Sequence, residues 1–96
     1  MMAAYVVLNI EVTDPARYPE YASAAGATVA QYGGKYLARG GKAEPLEGSL
    51  APKRVVILEF PSYERASAWW SSVEYQAPKA IRQSAATSDA ILVEGV

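Results

Sequence analysis

Residues 5–12 read YVVLNIEV and run into Thr-Asp-Pro, and the alternation within this stretch sets the terms for the rest of the chain. It is rich in β-branched and aromatic side chains, so it is a strand, and the Thr-Asp-Pro is a turn and helix-start signal. By parity, Val6, Leu8, Ile10 and Val12 form one uninterrupted apolar face, while Tyr5, Val7, Asn9 and Glu11 form the other. RVVILEF at residues 54–60 divides in the same way, into Val56, Leu58 and Phe60 against Val55, Ile57 and Glu59. The purely apolar sets belong beneath helices. The mixed sets remain too apolar for open water.

Between these strands the spacing changes. Tyr18, Tyr21, Ala22, Ala25, Val29 and Tyr32 recur at helical intervals, with Gly33 and Gly34 as a left-handed stop. Asp14 is placed to cap with Pro15 in the first turn, but Pro19 is intolerable in a helix interior, so regular helix is expected to begin near Pro19. KYLAR at residues 35–39 alternates as a second strand, and Gly40-Gly41 mark a bend or bulge beyond it. Residues 42–53 form the longest irregular piece.

Ser62 is placed to cap a helix carrying Ala66, one of Trp69 and Trp70, and Val73 on its inner stripe. Within AWWSSVEYQAPKAIRQSAAT, residues 68–87, Ser71 to Glu74 fits a capping box and predicts a second helix start, and Pro78 adds a break or kink. The stretch thus divides into a helix that packs one tryptophan on the sheet and a shorter, offset segment. AILVEG at residues 90–95 is the fourth strand. The order is β-α-β-β-α-β. This predicts an α+β, ferredoxin-like single domain over residues 1–96, with a four-stranded antiparallel-type sheet and two helical segments on one face.

A sheet with two helices is covered on one side only. The other side, carrying Tyr5, Val7, Val55, Ile57 and, by expectation, Leu92, needs a second cover. A second copy of the chain, paired face to face about a two-fold axis, supplies one and leaves a semi-enclosed cavity between the sheets. The alternative is that residues 42–53 fold over this face.

Composition narrows the chemistry. The chain has 96 residues, 51% of them apolar and 20% charged, as ordinary globular proteins do. Net charge is -1 and the nine Lys and Arg are scattered, so neither nucleic acid nor an anionic membrane surface is an expected partner. Cysteine and histidine are both absent, which removes thiolate nucleophiles, Cys- or His-ligated metals and the commonest general base. No cofactor is expected. The N-terminal apolar run lacks a basic flank and carries an acidic residue, so it reads as a strand and not as a signal peptide, and a cytoplasmic location is expected.

GGKYLARGG at 33–41, LEG at 46–48, KRVVILEFPS at 53–62, AWWSSVEYQ at 68–76 with Arg82, and LVEG at 92–95 occur in this order over almost the whole chain. Together they resemble the family known as domain of unknown function 1330. That resemblance implies the fold of the dimeric α+β barrel proteins, among which are cofactor-independent monooxygenases, muconolactone-isomerase-like enzymes and members without known activity. It brings no established catalytic residues. Pro78 stands where relatives continue a helix, Trp70 where Tyr is frequent, and Leu50 where an aromatic is common.

The candidate site residues follow from the mixed face and from the helix after the tryptophans. Strands one and three, read as adjacent and parallel, bring Glu11 and Glu59 to one end of the pocket, where two close carboxylates would act as acid and base. The alternative is two solvated or ion-paired rim residues. Asn9 is the buried polar group, oriented towards a ligand carbonyl or towards the backbone. Arg39, on the side of Leu37, is placed to clamp a carboxylate or enolate oxygen, or to form a structural ion pair that holds the 42–53 segment or the dimer. Tyr75 and Arg82 share a helix face and present a phenol and a cation, either to a ligand or to a neighbouring helix. Tyr5 and Trp69 are the aromatic candidates for lining the cavity.

Two functions remain open. One is a small-molecule-binding homodimer acting as a cofactor-free enzyme, by proton transfer or oxygenation of an enolisable or aromatic compound, with Arg39, Glu59 and Tyr75 as its catalytic candidates and Tyr5, Asn9, Glu11, Arg82 and Trp69 as ligand contacts. The other is a non-catalytic ligand-binding or structural dimer.

Overall fold

The computed structural model describes residues 2–96. Its elements are β1 (Ala4–Val12), α1 (Tyr18–Gln31), β2 (Lys35–Arg39), β3 (Arg54–Phe60), α2 (Tyr63–Ser71), α3 (Val73–Ala85) and β4 (Ala86–Glu94). The strands form one sheet in the order β2-β3-β1-β4, antiparallel throughout. This is the ferredoxin-like α+β arrangement that the strand and helix order predicts. The molecule measures 34 × 33 × 17 Å, and the thin dimension is that of one sheet plus one helix layer.

The expectation that β1 and β3 run parallel is overturned. The β1–α1–β2 crossover makes β1 and β2 parallel, and β3 is inserted between them while reversing from β2. It must therefore oppose both neighbours, and Tyr5 faces Glu59 while Ile10 faces Arg54.

The core lies under the helices. Val6, Leu8 and Ile10 from β1 and Val56, Leu58 and Phe60 from β3 are all buried there, as their parity requires. They meet Tyr18, Tyr21, Ala25 and Val29 of α1, Ala66 and Trp69 of α2, and Tyr75 of α3. Each fully buried side chain of this size contributes about 1.5–3 kcal/mol relative to exposure. Pro19 falls in the first turn of α1, where its missing N–H costs nothing, so the helix begins at Tyr18. Gly34 closes α1 onto the sheet: a Cβ there would sit 2.7 Å from the Phe60 ring and 2.8 Å from Val29, so only glycine permits this approach.

Three local features differ from expectation. The second helix start is capped by Ser72 and not Ser71, its Oγ accepting from the Tyr75 N–H at 3.1 Å. Glu74 turns instead to the Tyr32 hydroxyl, which donates to it at 2.8 Å. Pro78 neither ends nor shortens α3, which runs for 13 residues against 9 for α2; the bond forgone would end on the carbonyl of Glu74, an exposed residue. Two helical segments thus become three helices among the described residues. Finally, β4 begins at Ala86, directly after α3, several residues before the predicted start. The N–H groups of Thr13 and Asp14 both donate to the Ala85 carbonyl, at 2.8 and 2.9 Å, and pin this seam to the end of β1.

Candidate functional site

The mixed face is assembled from Tyr5, Val7, Asn9 and Glu11 of β1, flanked by Glu59, Ile57 and Val55 of β3 and by Val93, Ile91, Asp89 and Thr87 of β4. Leu92, expected here, pairs with Val6 and packs on the helix side; Ile91 and Val93 take its place, 62% and 46% exposed. Residues 42–53 do not cover this face, since 41–50 are all exposed. They touch it at one point. The Asn9 side chain donates to the Ala51 carbonyl at 3.1 Å and accepts from the Lys53 N–H at 2.8 Å, acting as a peptide group would in a strand.

Because β1 and β3 are antiparallel, Glu11 and Glu59 lie at opposite ends of the face, about 20 Å apart along the strands. They form no carboxylate pair. Glu59 is bridged by Lys35 at 3.2 Å. Glu11 borders an open groove of about 400 Å³ with Asn9, Ser49, Leu50, Ala51, Lys53, Thr87 and Asp89.

Arg39 is on the other side of the sheet. Strand β2 bulges between Tyr36 and Ala38, so parity is lost there: Ala38 pairs with Ile57 and Arg39 with Val56, whose side chain faces the helices. The Arg39 guanidinium lies 4.5 Å over the Tyr36 ring. It helps close a crevice with Arg54, Tyr18 and Tyr36 whose free volume is only about 20 Å³, room for a single water. Gly40 is needed here for its φ of +72°, a left-handed conformation that side chains rarely adopt, and a Cβ would in addition displace the Arg54 guanidinium.

The helix side also holds a dense aromatic and cationic cluster. Trp69, fully buried, stacks on Tyr75 at 4.1 Å and meets Phe60 at 5.3 Å. Its Nε1 donates to Thr28 Oγ1 at 3.0 Å. Trp69 is thus a core anchor. The Tyr75 and Tyr21 hydroxyls share a hydrogen bond of 3.0 Å. Burial, with Tyr75 beside it, pushes the Tyr21 phenol far above its ordinary pKa, against the opposing pull of Arg82.

Arg82 is 3% exposed. It donates from Nη1 to Ser88 Oγ and lies over the rings of Tyr21 and Trp70, at 5.8 and 5.6 Å. Its Nε is buried without a partner. Among the described residues no carboxylate forms a salt bridge with it.

Trp70 is the tryptophan that turns away from the core, half-buried over the edge strand β4. It forms a wall common to two grooves. One, of about 250 Å³, is apolar and lined by Val6, Ala66, Ser67, Ala90, Ile91 and Leu92. The other, of about 460 Å³, is lined by Arg82, Gln83, Ala86, Thr87, Ser88 and Ala90. Trp70 and Ala90 border both, so the grooves adjoin along β4 with an apolar end and a cationic end.

The sequence-predicted residues are therefore distributed over three places. Tyr5, Asn9, Glu11 and Glu59 are on the bare sheet face, Arg39 is at the β2–β3 crevice, and Trp69, Tyr75 and Arg82 are together beneath the helices. Trp70 and Ser88 escaped sequence reasoning, although the adjacent tryptophans already required one to point outward. No group of three or more Asp or Glu able to hold a metal occurs among the described residues.

The bare, apolar-rich sheet face and the single helix layer place the molecule in the ferredoxin-like class. A family model matches residues 3–96, and the chain belongs to that family, the domain of unknown function DUF1330. Curated proteins give no match. Among solved structures, the chain is similar to the RPA0582 protein of unknown function from Rhodopseudomonas palustris, with TM-score 0.77 and 20% identity over 99% of this chain and 83% of that one. It is also similar to SnoaB, a cofactor-independent oxygenase from Streptomyces nogalater, with TM-score 0.67 and 13% identity over 96% and 91% of the two chains. A dimeric ferredoxin-like protein of unknown function from Thermobifida fusca gives 0.53 and 10% over 99% and 92%. At these identities the likeness is one of fold.

Proposed function

We propose that this protein is a homodimer that binds a small organic molecule in the groove between β4 and helices α2 and α3. The observation that carries the reading is the groove itself, an apolar recess walled by a half-buried tryptophan at the edge of the sheet. Preformed apolar concavities with a few polar groups at one end are the usual form of small-molecule sites. The dimer reading is supported by the exposed Ile91 and Val93 on a face that no helix covers, and the dimeric Thermobifida fusca protein is a precedent for this fold.

Trp70 makes the reading testable. Mass spectrometry of the native protein should detect a co-purified molecule, and a ligand entering the groove should quench or shift tryptophan emission. Trp70→Phe should abolish that response while buried Trp69 continues to emit. An unchanged spectrum across a panel of aromatic and aliphatic compounds would exclude the groove as the site.

A cofactor-free enzyme at the same groove is the second reading, favoured by the Trp70 ring and the Arg82 cation that border it, which together suit an enolate or phenolate. SnoaB shares the fold and works without a cofactor. Of the residues singled out from sequence, Tyr75 bears on this groove only through Tyr21 and Trp70, and Arg39 and Glu59 lie elsewhere. Oxygen uptake or substrate proton exchange, without added metal or flavin, separates this reading from passive binding.

A further inference from the structure

We propose that the ligand of the β4 groove is an apolar carboxylic acid whose carboxylate is bound by Arg82, an inference that rests on the groove being the binding site. A buried guanidinium is stable only when its charge is met, and a desolvated cation without a counter-charge is costly. Arg82 is met by one hydroxyl and two aromatic faces. These disperse its charge but do not neutralise it, and Nε has no acceptor.

The carboxylates of neighbouring strand residues cannot serve. Asp89 and Glu11 lie on the bare face, as the pairing of Asp89 with Asn9 and of Glu11 with Thr87 requires, and Arg82 is on the helix side. No Asp or Glu lines either groove. A second cation stands close by, with Lys79 Nζ 5.0 Å over the Trp70 ring. Among the described residues no carboxylate meets Arg82, and the proposal takes its anion from outside the chain.

The opposite end selects the rest of the molecule. From Ser88 to Leu92 the groove follows five residues of β4, about 13 Å from first to last, and becomes apolar at Val6, Ala66 and Leu92. Trp70 stands between the two ends. A ligand lying along β4 with its carboxylate at Arg82 and Ser88 would place its hydrocarbon or aromatic body beneath Trp70. A planar, bidentate acid suits the guanidinium fork, and the charge-assisted hydrogen bonds it makes are the strong ones.

The test compares acids with their neutral amides. Octanoate against octanamide and 2-naphthoate against 2-naphthamide are titrated by calorimetry and by tryptophan emission. Each acid is expected to bind at least about tenfold more tightly than its amide. Arg82→Lys, which keeps the charge and loses the fork, should weaken the acids about tenfold and leave the amides unchanged. Equal affinity of acid and amide would overturn the carboxylate and leave the groove intact as a site. Binding of neither would remove the small-molecule reading along with it. Light scattering on Arg82→Lys gives the third arm: a loss of dimer would show that a second copy supplies the anion, which overturns the ligand assignment. The acid–amide comparison needs no variant, so a poorly folding Arg82→Lys does not spare the proposal.

Discussion

Trp69 and Tyr75 show how two adjacent helices are locked by fully buried side chains. Their stacked rings, the Trp69 bond to Thr28 and the Tyr75 bond to Tyr21 join α1, α2 and α3. Trp69→Ala should cost about 3–5 kcal/mol, read as a shift in the denaturant midpoint. Tyr21 offers a pH test. Its folded-state pKa is raised, so its stabilisation is complete below the ordinary tyrosine value of about 10 and declines as pH rises beyond it. Between pH 9 and 11.5 the unsubstituted protein should lose more stability than Tyr21→Phe, which has no phenol to ionise. Equal losses would show that Tyr21 is not held in its neutral form. Asn9 lends itself to a local test. Asn9→Ala should free residues 42–53 from the sheet, at a cost of about 1–2 kcal/mol, and should accelerate proteolysis within that segment while leaving the rest of the chain resistant.

At the scale of elements, what the sequence discloses depends on how strongly burial enforces parity. β1 and β3 are legible because Val6, Leu8 and Ile10, and Val56, Leu58 and Phe60, are uninterrupted apolar sets that can only face the helices. β2 is not. Tyr36, Leu37 and Ala38 are each acceptable on either face, so nothing in the pattern betrays the bulge that sends Arg39 to the helix side. The relation of Glu11 to Glu59 depends on strand direction, which composition does not encode but the β1–α1–β2 crossover does. Among the site residues, the shared face of Tyr75 and Arg82 was visible as a seven-residue spacing; that Arg82 lacks an acidic partner was not, because the absence of a counter-charge exists only in three dimensions. Deleting Leu37 should restore regular pairing with Ala38 still opposite Ile57 and Arg39 still opposite Val56, so that Arg39 keeps the helix side, and the loss of the bulge should be visible as increased protection of β2 amides in hydrogen exchange.

For the whole molecule, the decisive quantity is the uncovered area. The bare side of a four-stranded sheet whose strands reach nine residues spans roughly 15–20 by 30 Å, of the same order as the roughly 800 Å² per partner of a standard specific interface. Its apolar centre is Val7, Val55, Ile57 and Ile91. Light scattering should give twice the chain mass, and Ile91→Glu should give the monomer, because a charge at a two-fold interface meets its own image. A mass unaffected by Ile91→Glu would move the interface elsewhere. No helix among the described residues is long and apolar enough to cross a membrane.

The seam between α3 and β4 has a consequence of another kind. With no linker between Ala85 and Ala86, and with Thr13 and Asp14 fastened to the Ala85 carbonyl, β4 has no slack through which to slide past β1. A strand slipping by one residue would exchange its two faces. Thr87 or Asp89 would then arrive beneath Arg82 in place of Ser88, and Asp89 would bring a carboxylate of the chain's own. The missing linker therefore keeps the Asp89 carboxylate on the far side of the sheet from Arg82, and under the proposed reading it guards the guanidinium against occupation by the chain itself.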